Sequence, residues 1–359
     1  MLLKKIDWYI IRKFIGTYVF SILLIISISV VFDINEKIDK FLQPEVPLHA
    51  IIFDYYMNFI PYYANLFSPL FVFIAVIMFT SKLADKSEII AMLASGMSFR
   101  RLMVPYLISA AMIAAVTFLL NSYIIPPANI TRIDFQNQYI KNKKVDYAAN
   151  VQLEVEPGLI AYFDRYDDKS SMGYRFDLLR FDGKKLVSKL TAKTIKHDSL
   201  YNWTLVDYII RDFDGMKESV SDGSRKDTTL MIVPSDFLIS TTDSEVMTSP
   251  ELKVYIDRQK KRGIANIQRF EIEYHKRYAA VMAAFILTII GASLSSRKIK
   301  GGMGLNIGIG LGLSFSYILF TTITSTFAIN GYVSPMVAAW IPNILYTFIA
   351  IYLYRRAPR

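Results

Sequence analysis

Residues 102–125 read LMVPYLISAAMIAAVTFLLNSYII and contain no charged side chain. As an α-helix that rises 1.5 Å per residue, this run is long enough to cross the roughly 30 Å hydrocarbon core of a bilayer. Five other long runs are equally apolar, in a chain of 359 residues of which 53% are hydrophobic. They are residues 14–32, 56–81, 279–296, 305–329 and 335–354. The sequence therefore predicts a multi-pass α-helical membrane protein with six transmembrane helices.

The net charge of +10 is distributed unevenly along the chain. Basic residues are concentrated before the first predicted helix, in the loops between helices two and three and between helices four and five, and after helix six. They are Lys4, Lys5, Arg12, Lys13, Lys82, Lys86, Arg100, Arg101, Arg297, Lys298, Lys300, Arg355, Arg356 and Arg359. Positive flanks mark the cytoplasmic side, so both termini are predicted to be cytoplasmic. The excess of basic residues lies in the predicted cytoplasmic segments, and residues 128–270 contain both basic and acidic residues. The net charge therefore does not indicate a nucleic-acid partner.

A segment of roughly 140 residues separates the third and fourth predicted helices and must lie on the other side of the membrane. Short runs rich in Val, Ile, Leu, Tyr and Thr alternate there with turn pairs such as Asp182-Gly183, Asp214-Gly215 and Asp222-Gly223. The predicted strands are residues 150–155, 159–166, 174–181, 186–197, 203–213 and 229–233. Evenly spaced short strands favour a sandwich or a jelly roll. We therefore expect an inserted extracytoplasmic β-jellyroll-like domain.

These patterns divide the chain into four parts. Residues 1–127 contain the first three transmembrane helices, and residues 128–250 form the β-jellyroll-like domain. Ser249-Pro250-Glu251 places proline at the first position of a charged helix, so residues 251–274 are predicted to be a linker helix. Residues 275–359 contain the last three transmembrane helices.

The sequence offers no group of residues suited to catalysis. It has no cysteine, its three histidines are widely separated, and no G-x-x-x-x-G-K-[ST] loop occurs. We therefore predict a chain that is not an enzyme and needs no metal or cofactor. Gly304, Gly308 and Gly312 recur every four residues at the start of the fifth helix. That spacing is typical of close helix packing in lipid, with a flexible helix as the alternative.

The loop between helices two and three, about residues 84–98, is too short to span a membrane and too apolar for an ordinary connection. Ser87 is a helix-capping residue type and Glu88 suits the first turn of a helix. Apolar side chains follow at helical spacing, and a glycine and two arginines come after them. The predicted site residues are Glu88, Ile89, Ile90, Leu93, Ala94, Gly96, Met97, Arg100 and Arg101. Such a stripe indicates a coupling helix that docks in the groove of a cytoplasmic partner, or a helix that lies on lipid.

Several motifs are similar to those of the lipopolysaccharide export permeases of the LptF/LptG type, and the similarity extends over essentially the whole chain. The motifs are DWYIIRKF at 7–14, KSEIIAMLASGMS at 86–98, NSYIIPPAN at 121–129, HKRYA at 275–279 and IGASL at 290–294. The resemblance implies the transmembrane subunit of an ABC exporter in the bacterial inner membrane. Its implied partners are a cytoplasmic ATPase dimer at the coupling helix, a second permease, and a periplasmic β-jellyroll bridge protein that receives lipopolysaccharide.

In this chain, the resemblance implies that acyl chains lie against helices one and five and that the anionic headgroup meets basic residues at the outer surface. The candidates are Lys37, Lys40, Lys276 and Arg277, against the alternative of interfacial snorkelling. Some family members place a lysine at the outer end of helix one, where this chain has Val31-Phe32-Asp33-Ile34. Which of the two permeases the chain represents stays open. Two other functions also stay open: a permease of this layout for another lipid or lipoprotein, and a membrane-anchored β-domain scaffold without transport.

Overall fold

A computed structural model describes residues 4–140, 147–237, 243–261, 267–297 and 302–357. The predicted cytoplasmic residues Lys298, Lys300 and Arg359 lie outside these ranges. The chain forms two compact units. The helical unit contains Met1–Ile140, Glu245–Ser249 and Gln268–Arg359, and the β unit contains Lys141–Ser244 and Pro250–Ile267.

Six helices in the described chain are long and apolar enough to cross a membrane, as the sequence predicts. Five are single α-helices: α1 (Lys5–Phe41), α4 (Ser68–Asp85), α10 (Gln268–Ser295), α11 (Gly302–Ile329) and α12 (Pro335–Arg356). The other begins as α6 (Phe99–Leu119) and continues through the π-helix Leu120–Ile124, α7 (Ile125–Phe135) and the π-helix Gln136–Ile140. Shorter helices are α2 (Leu48–Ala50), the π-helix Ile51–Tyr56, α3 (Met57–Leu66), α5 (Glu88–Ala94), α8 (Asp243–Val246) and α9 (Ser249–Lys261).

The two ends of the helical unit can be told apart from its contacts. Asp7 near the start of α1 bonds to Arg101 near the start of α6, and Phe99 contacts Tyr354 near the end of α12. We call this end, which holds the first and last described residues, the terminal end. The opposite end, where the chain leaves at Ile140 and returns at α10, is called the insert end.

The helices differ in how much of their surface the chain itself covers. In the most apolar stretch of α4, 72% of the residues are buried, against 17% in the corresponding stretches of α1 and α11. α4 is therefore a central helix, packed by α1, α10 and α11. The described chain leaves most of α1 and α11 exposed, and in a membrane those faces must meet lipid or another protein.

Glycines do permit close helix packing, but not the ones that the spacing predicts. Gly304, Gly308 and Gly312 have open space where a Cβ would lie, so they make no close contact within the described chain, and their role in helix packing stays a prediction. Gly310 faces α4 instead, and a Cβ there would overlap Ile77. On α10, a Cβ at Gly291 would lie 2.9 Å from a methyl carbon of Val76.

The inserted unit is a six-stranded antiparallel sheet in sequential order, which confirms an inserted β-domain between the third and fourth transmembrane helices. Phe163, Phe176 and Trp203 are fully buried in its core, and the Trp203 indole donates to the carbonyl oxygen of Ile232 over 3.1 Å. Burial raises the pKa of the core residue Tyr166 to about 12. The strands are β1 (Tyr147–Glu156), β2 (Leu159–Asp167), β3 (Met172–Asp182), β4 (Lys185–Ser199), β5 (Asn202–Asp214) and β6 (Lys217–Thr229).

One predicted strand is wrong. Residues 229–233 were expected to form the sixth strand, and Asp222-Gly223 was expected to be a turn, whereas β6 covers Lys217–Thr229 and runs through that pair. The sequence of β6 is almost entirely polar because the strand lies at the sheet edge with exposed side chains. A search for apolar alternation cannot detect such a strand, although backbone pairing with β5 defines it fully.

Candidate functional site: a short helix and a cavity in the helical unit

α5 is a seven-residue helix at the terminal end, and its two boundaries are set by backbone geometry. Ser87 precedes it in the left-handed conformation with φ 59°, and its side chain makes no capping hydrogen bond, so the expected serine cap is wrong. At the other end, Gly96 has φ 89° and its N–H donates to the carbonyl oxygen of Leu93 over 3.0 Å. The Met97 N–H donates to Met92 over 3.3 Å, which completes a Schellman ending.

The apolar stripe of α5 is divided between two directions. Ile89 is fully buried in the core of the helical unit, and Leu93 and Met97 pack partly against the same core. Ile90 is 54% exposed, and Ala94 is exposed on the same side. The apolar stripe is therefore not exposed as a whole, contrary to our expectation. Ile89, Leu93 and Met97 are spaced by four residues and all pack against the core of the helical unit. The exposed surface available to a partner is smaller and centres on Ile90.

Polar contacts fix α5 to the neighbouring helices. The Tyr9 hydroxyl donates to a carboxylate oxygen of Glu88 over 3.0 Å. Asp7, which is 2% exposed, accepts two hydrogen bonds from Arg101 at 2.8 and 2.5 Å. Arg101 is thus bound within the protein, whereas Arg100 is exposed. The Asp7–Arg101 pair therefore ties α1 to α6 beside α5.

Lys37 lies at the insert end of α1 in an aromatic cluster. Its amine donates to Asp33 and, over 2.6 Å, to the Tyr55 hydroxyl, and the Tyr56 hydroxyl donates to Asp33 over 3.0 Å. The Lys37 charge is therefore largely neutralised by a buried carboxylate. Lys40, one turn further on, is half-buried. The headgroup role of both lysines stays a prediction.

A cavity of about 280 Å³ opens at the insert end of the helical unit. Asparagine, glutamate, lysine and threonine side chains from several helices share its lining with apolar residues. Lys276 is a half-buried cation of this cavity, and within the described part of the chain no acceptor is bonded to its amine. The lining includes Tyr62, Asn65, Asn121, Glu245, Glu273, Lys276, Arg277, Ile318 and Thr321.

Arg277 also lines the cavity, but its guanidinium is 1% exposed and already bonded. Its Nε donates to Glu273 over 3.0 Å, and its Nη1 donates to the carbonyl oxygen of Met247 over 2.9 Å and to the Ser249 hydroxyl over 3.2 Å. These bonds leave Lys276 as the more available of the two neighbouring cations. The headgroup role of Arg277 stays a prediction.

Sequence reasoning missed the buried charged residues that hold these sites together. Asp7 and Arg132 are examples, and their partners Arg101 and Glu245 are distant in sequence. Asp33, by contrast, had a visible signal, because an acidic residue at the end of a long apolar run needs a partner.

The described residues contain no group of three or more histidine, cysteine or acidic side chains that could hold a metal ion.

The sequence matches the family model of the lipopolysaccharide export system permease LptF/LptG over residues 8–356. Among curated proteins, no sequence matches this chain. The matched region contains the β unit, α5 and all six apolar helices apart from the first three residues of α1. The chain is therefore a multi-pass membrane protein and belongs to the LptF/LptG family, the permease of the lipopolysaccharide export system.

Proposed function

We propose that this chain is the transmembrane subunit of an ABC exporter that extracts lipopolysaccharide from the inner membrane and passes it to a periplasmic bridge protein. A separate cytoplasmic ATPase dimer supplies the energy. The observation that carries the proposal is the exposed Ile90 side of α5, at the same end of the helices as the chain termini. An apolar side chain held on a short, firmly anchored helix is suited to a protein groove.

The sequence supports a source of energy outside this chain. The chain has no phosphate-binding G-x-x-x-x-G-K-[ST] loop, so ATP hydrolysis belongs to the partner. Positive flanks support a cytoplasmic position for the termini and α5, where ATP is available, and a periplasmic position for the β unit. The contacts Tyr9–Glu88 and Asp7–Arg101 give the partner a route to α1 and α6.

A second permease chain fits the two exposed helices. α1 and α11 are mostly uncovered by the described chain, and Gly304, Gly308 and Gly312 present an open, small-residue surface on α11. Small residues let helix backbones approach closely in lipid. A partner of the same family, or a second copy, would meet this surface and enclose a space for acyl chains between the two subunits.

The lipid's anionic headgroup would meet cations at the insert end. Lys276 supports this role best, because it is a half-buried residue that lines a cavity and its amine is not bonded within the described residues. A lysine amine in such a site binds phosphate by charge-assisted hydrogen bonds. Lys40 is the second candidate, whereas Lys37 is bonded to Asp33.

The test is gentle purification of the tagged chain from its native membrane, followed by mass spectrometry of bound proteins and lipids. The proposal predicts a nucleotide-binding ATPase, a second permease and lipopolysaccharide. Recovery of the same ATPase with a different lipid would replace the substrate. If no ATPase is recovered in several detergents, the chain is an anchored β-domain scaffold and the proposal is wrong.

A further inference from the structure

Two arginines of the helical unit are almost completely buried and both reach the same short piece of chain. Arg132 on α7 is 5% exposed and Arg277 on α10 is 1% exposed. The piece they reach is Glu245–Ser249, which we call the return segment. A buried guanidinium is costly unless it is paired and hydrogen-bonded, so these contacts must be strong enough to retain both charges.

Arg277 holds the return segment from the side of α10. It donates to the backbone carbonyl of Met247 and to the side chain of Ser249, while Glu273 on the same helix balances its charge. The contact to Met247 is to the backbone, so it fixes the path of the chain and not only one side chain. A planar guanidinium with several donors in fixed positions can make these contacts together, which a lysine amine cannot do with the same geometry.

Arg132 holds the same segment from the side of α7. Its Nη2 lies 3.6 Å from a carboxylate oxygen of Glu245, and its Nε donates to Asn129 over 3.0 Å. Asn129 in turn donates to the backbone carbonyl of Glu245 over 3.2 Å. The guanidinium of Arg132 also lies 4.2 Å from the ring centre of Tyr62 on α3, a cation–π contact.

The return segment interrupts the β unit along the chain. Glu245–Ser249 belongs to the helical unit, but the residues on both sides of it, up to Ser244 and from Pro250 onward, belong to the β unit. The chain therefore returns to the helical unit once within the insert. It passes between the two units after Ile140, before Glu245, after Ser249 and before Gln268.

We propose that Arg132 and Arg277 form an arginine clamp that positions the return segment, so that movement of α7 and α10 is transmitted to the β unit. A free loop would absorb such movement through changes in its backbone dihedral angles. A segment whose Glu245 carbonyl is bonded by Asn129 on α7 and whose Met247 carbonyl is bonded by Arg277 on α10 must follow those helices. The clamp itself rests on the contacts above, and only its role in lipid transfer rests on the proposed function.

The clamp can be tested in the chain alone, because the sequence has no cysteine. Met247→Cys introduces a single attachment point for a nitroxide spin label on the return segment. We expect Arg277→Gln to increase the mobility of that label, with a rotational correlation time shortened about twofold or more. The matched control is Arg269→Gln, an exposed arginine of the same helix. A label at Met216→Cys, on the exposed β5–β6 turn, should not respond to either substitution.

A second variant removes one bond without leaving a buried charge unpaired. Ser249→Ala should also increase label mobility, by less than Arg277→Gln, and it keeps the test decisive if Arg277→Gln does not fold. Unchanged mobility at Met247→Cys in the folded clamp variants would overturn the clamp, whatever the protein transports.

The role in transfer is measured separately in the complex with its ATPase. We expect the amount of lipid transferred per ATP hydrolysed to fall about tenfold in Arg277→Gln and to stay unchanged in Arg269→Gln. An equal loss of hydrolysis and transfer, with the ratio unchanged, would show that Arg277 supports folding only and would overturn the positioning role. If no ATPase or lipid associates with the unmodified chain, the proposed function fails while the label experiment still decides the clamp.

Discussion

Substitution of Ile90 by arginine separates docking from folding, because α5 has one exposed and one buried isoleucine. Ile90 is 54% exposed, whereas its neighbour Ile89 is fully buried. Complete burial of an isoleucine side chain contributes about 1.5–3 kcal/mol, so covering the exposed half of Ile90 in a partner's groove contributes about 1 kcal/mol. A guanidinium left without a partner in that groove adds about 1–3 kcal/mol of cost.

Together these effects predict that Ile90→Arg weakens ATPase binding by about 2–3 kcal/mol, which is on the order of fifty-fold in Kd. The thermal unfolding temperature of the isolated chain should not change, because Ile90 contributes little to the core. Ile89→Ala should do the opposite: it removes a buried side chain at about 2–5 kcal/mol and lowers the unfolding temperature. Leu93→Arg should affect both properties, since Leu93 packs partly against the core.

The assay is a titration of the purified ATPase against the detergent-solubilised chain, with unfolding followed in parallel by intrinsic fluorescence. Val220→Arg is the matched control, because Val220 is 60% exposed and lies on β6 in the β unit. Its binding should equal that of the unmodified chain. If Ile90→Arg binds within twofold of the control, the docking surface does not include the exposed side of α5 and the reasoning is refuted.

Three further predictions concern stability. Asp7→Asn breaks the buried pair with Arg101 and should lower the free energy of unfolding by about 3 kcal/mol in a denaturation series; a loss below about 0.5 kcal/mol would show that the pair contributes like an exposed one. Gly310→Ala should lower the free energy of unfolding by about 1–3 kcal/mol through overpacking. Gly308→Ala should leave the stability of the isolated chain unchanged and weaken its association with a second permease. Folding raises the pKa of Tyr166 to about 12 from about 10. The stability that Tyr166 contributes to the β unit is therefore complete below about pH 10 and is lost between about pH 10 and 12. The variant Tyr166→Phe should show a smaller loss of stability in this range when unfolding is measured at alkaline pH.

The number of membrane-spanning helices and the position of the insert could be predicted because they depend on the surroundings, hydrocarbon or water, of each segment. Every stretch that crosses hydrocarbon must be long and apolar, so the six helices are visible in the sequence as runs without charge. The alternation of β4 is visible for a related reason, since one of its faces is partly buried against the sheet core. These are properties of single segments, and a single sequence contains them.

Features that depend on which segments meet could not be predicted. The spacing of Gly304, Gly308 and Gly312 is the same whether the stripe faces α4 or the lipid, and only the position of α11 shows that Gly310 makes the close contact. Ile89 and Ile90 are adjacent and chemically identical, but the packing of α5 buries one and exposes the other. Glu245, the ion-pair partner of Arg132, lies far away in sequence, and Met247 meets Arg277 through its backbone carbonyl, which carries no sequence signal.

We propose that this chain moves lipopolysaccharide with energy from a partner ATPase. The most direct measurement reconstitutes the chain, its ATPase and its second permease in liposomes that contain lipopolysaccharide, and follows transfer of the lipid to the purified periplasmic bridge protein. We predict transfer that requires ATP and is lost in the Ile90→Arg variant. Transfer that proceeds equally without ATP, or hydrolysis with no transfer of lipopolysaccharide at any ATP concentration, would contradict the account.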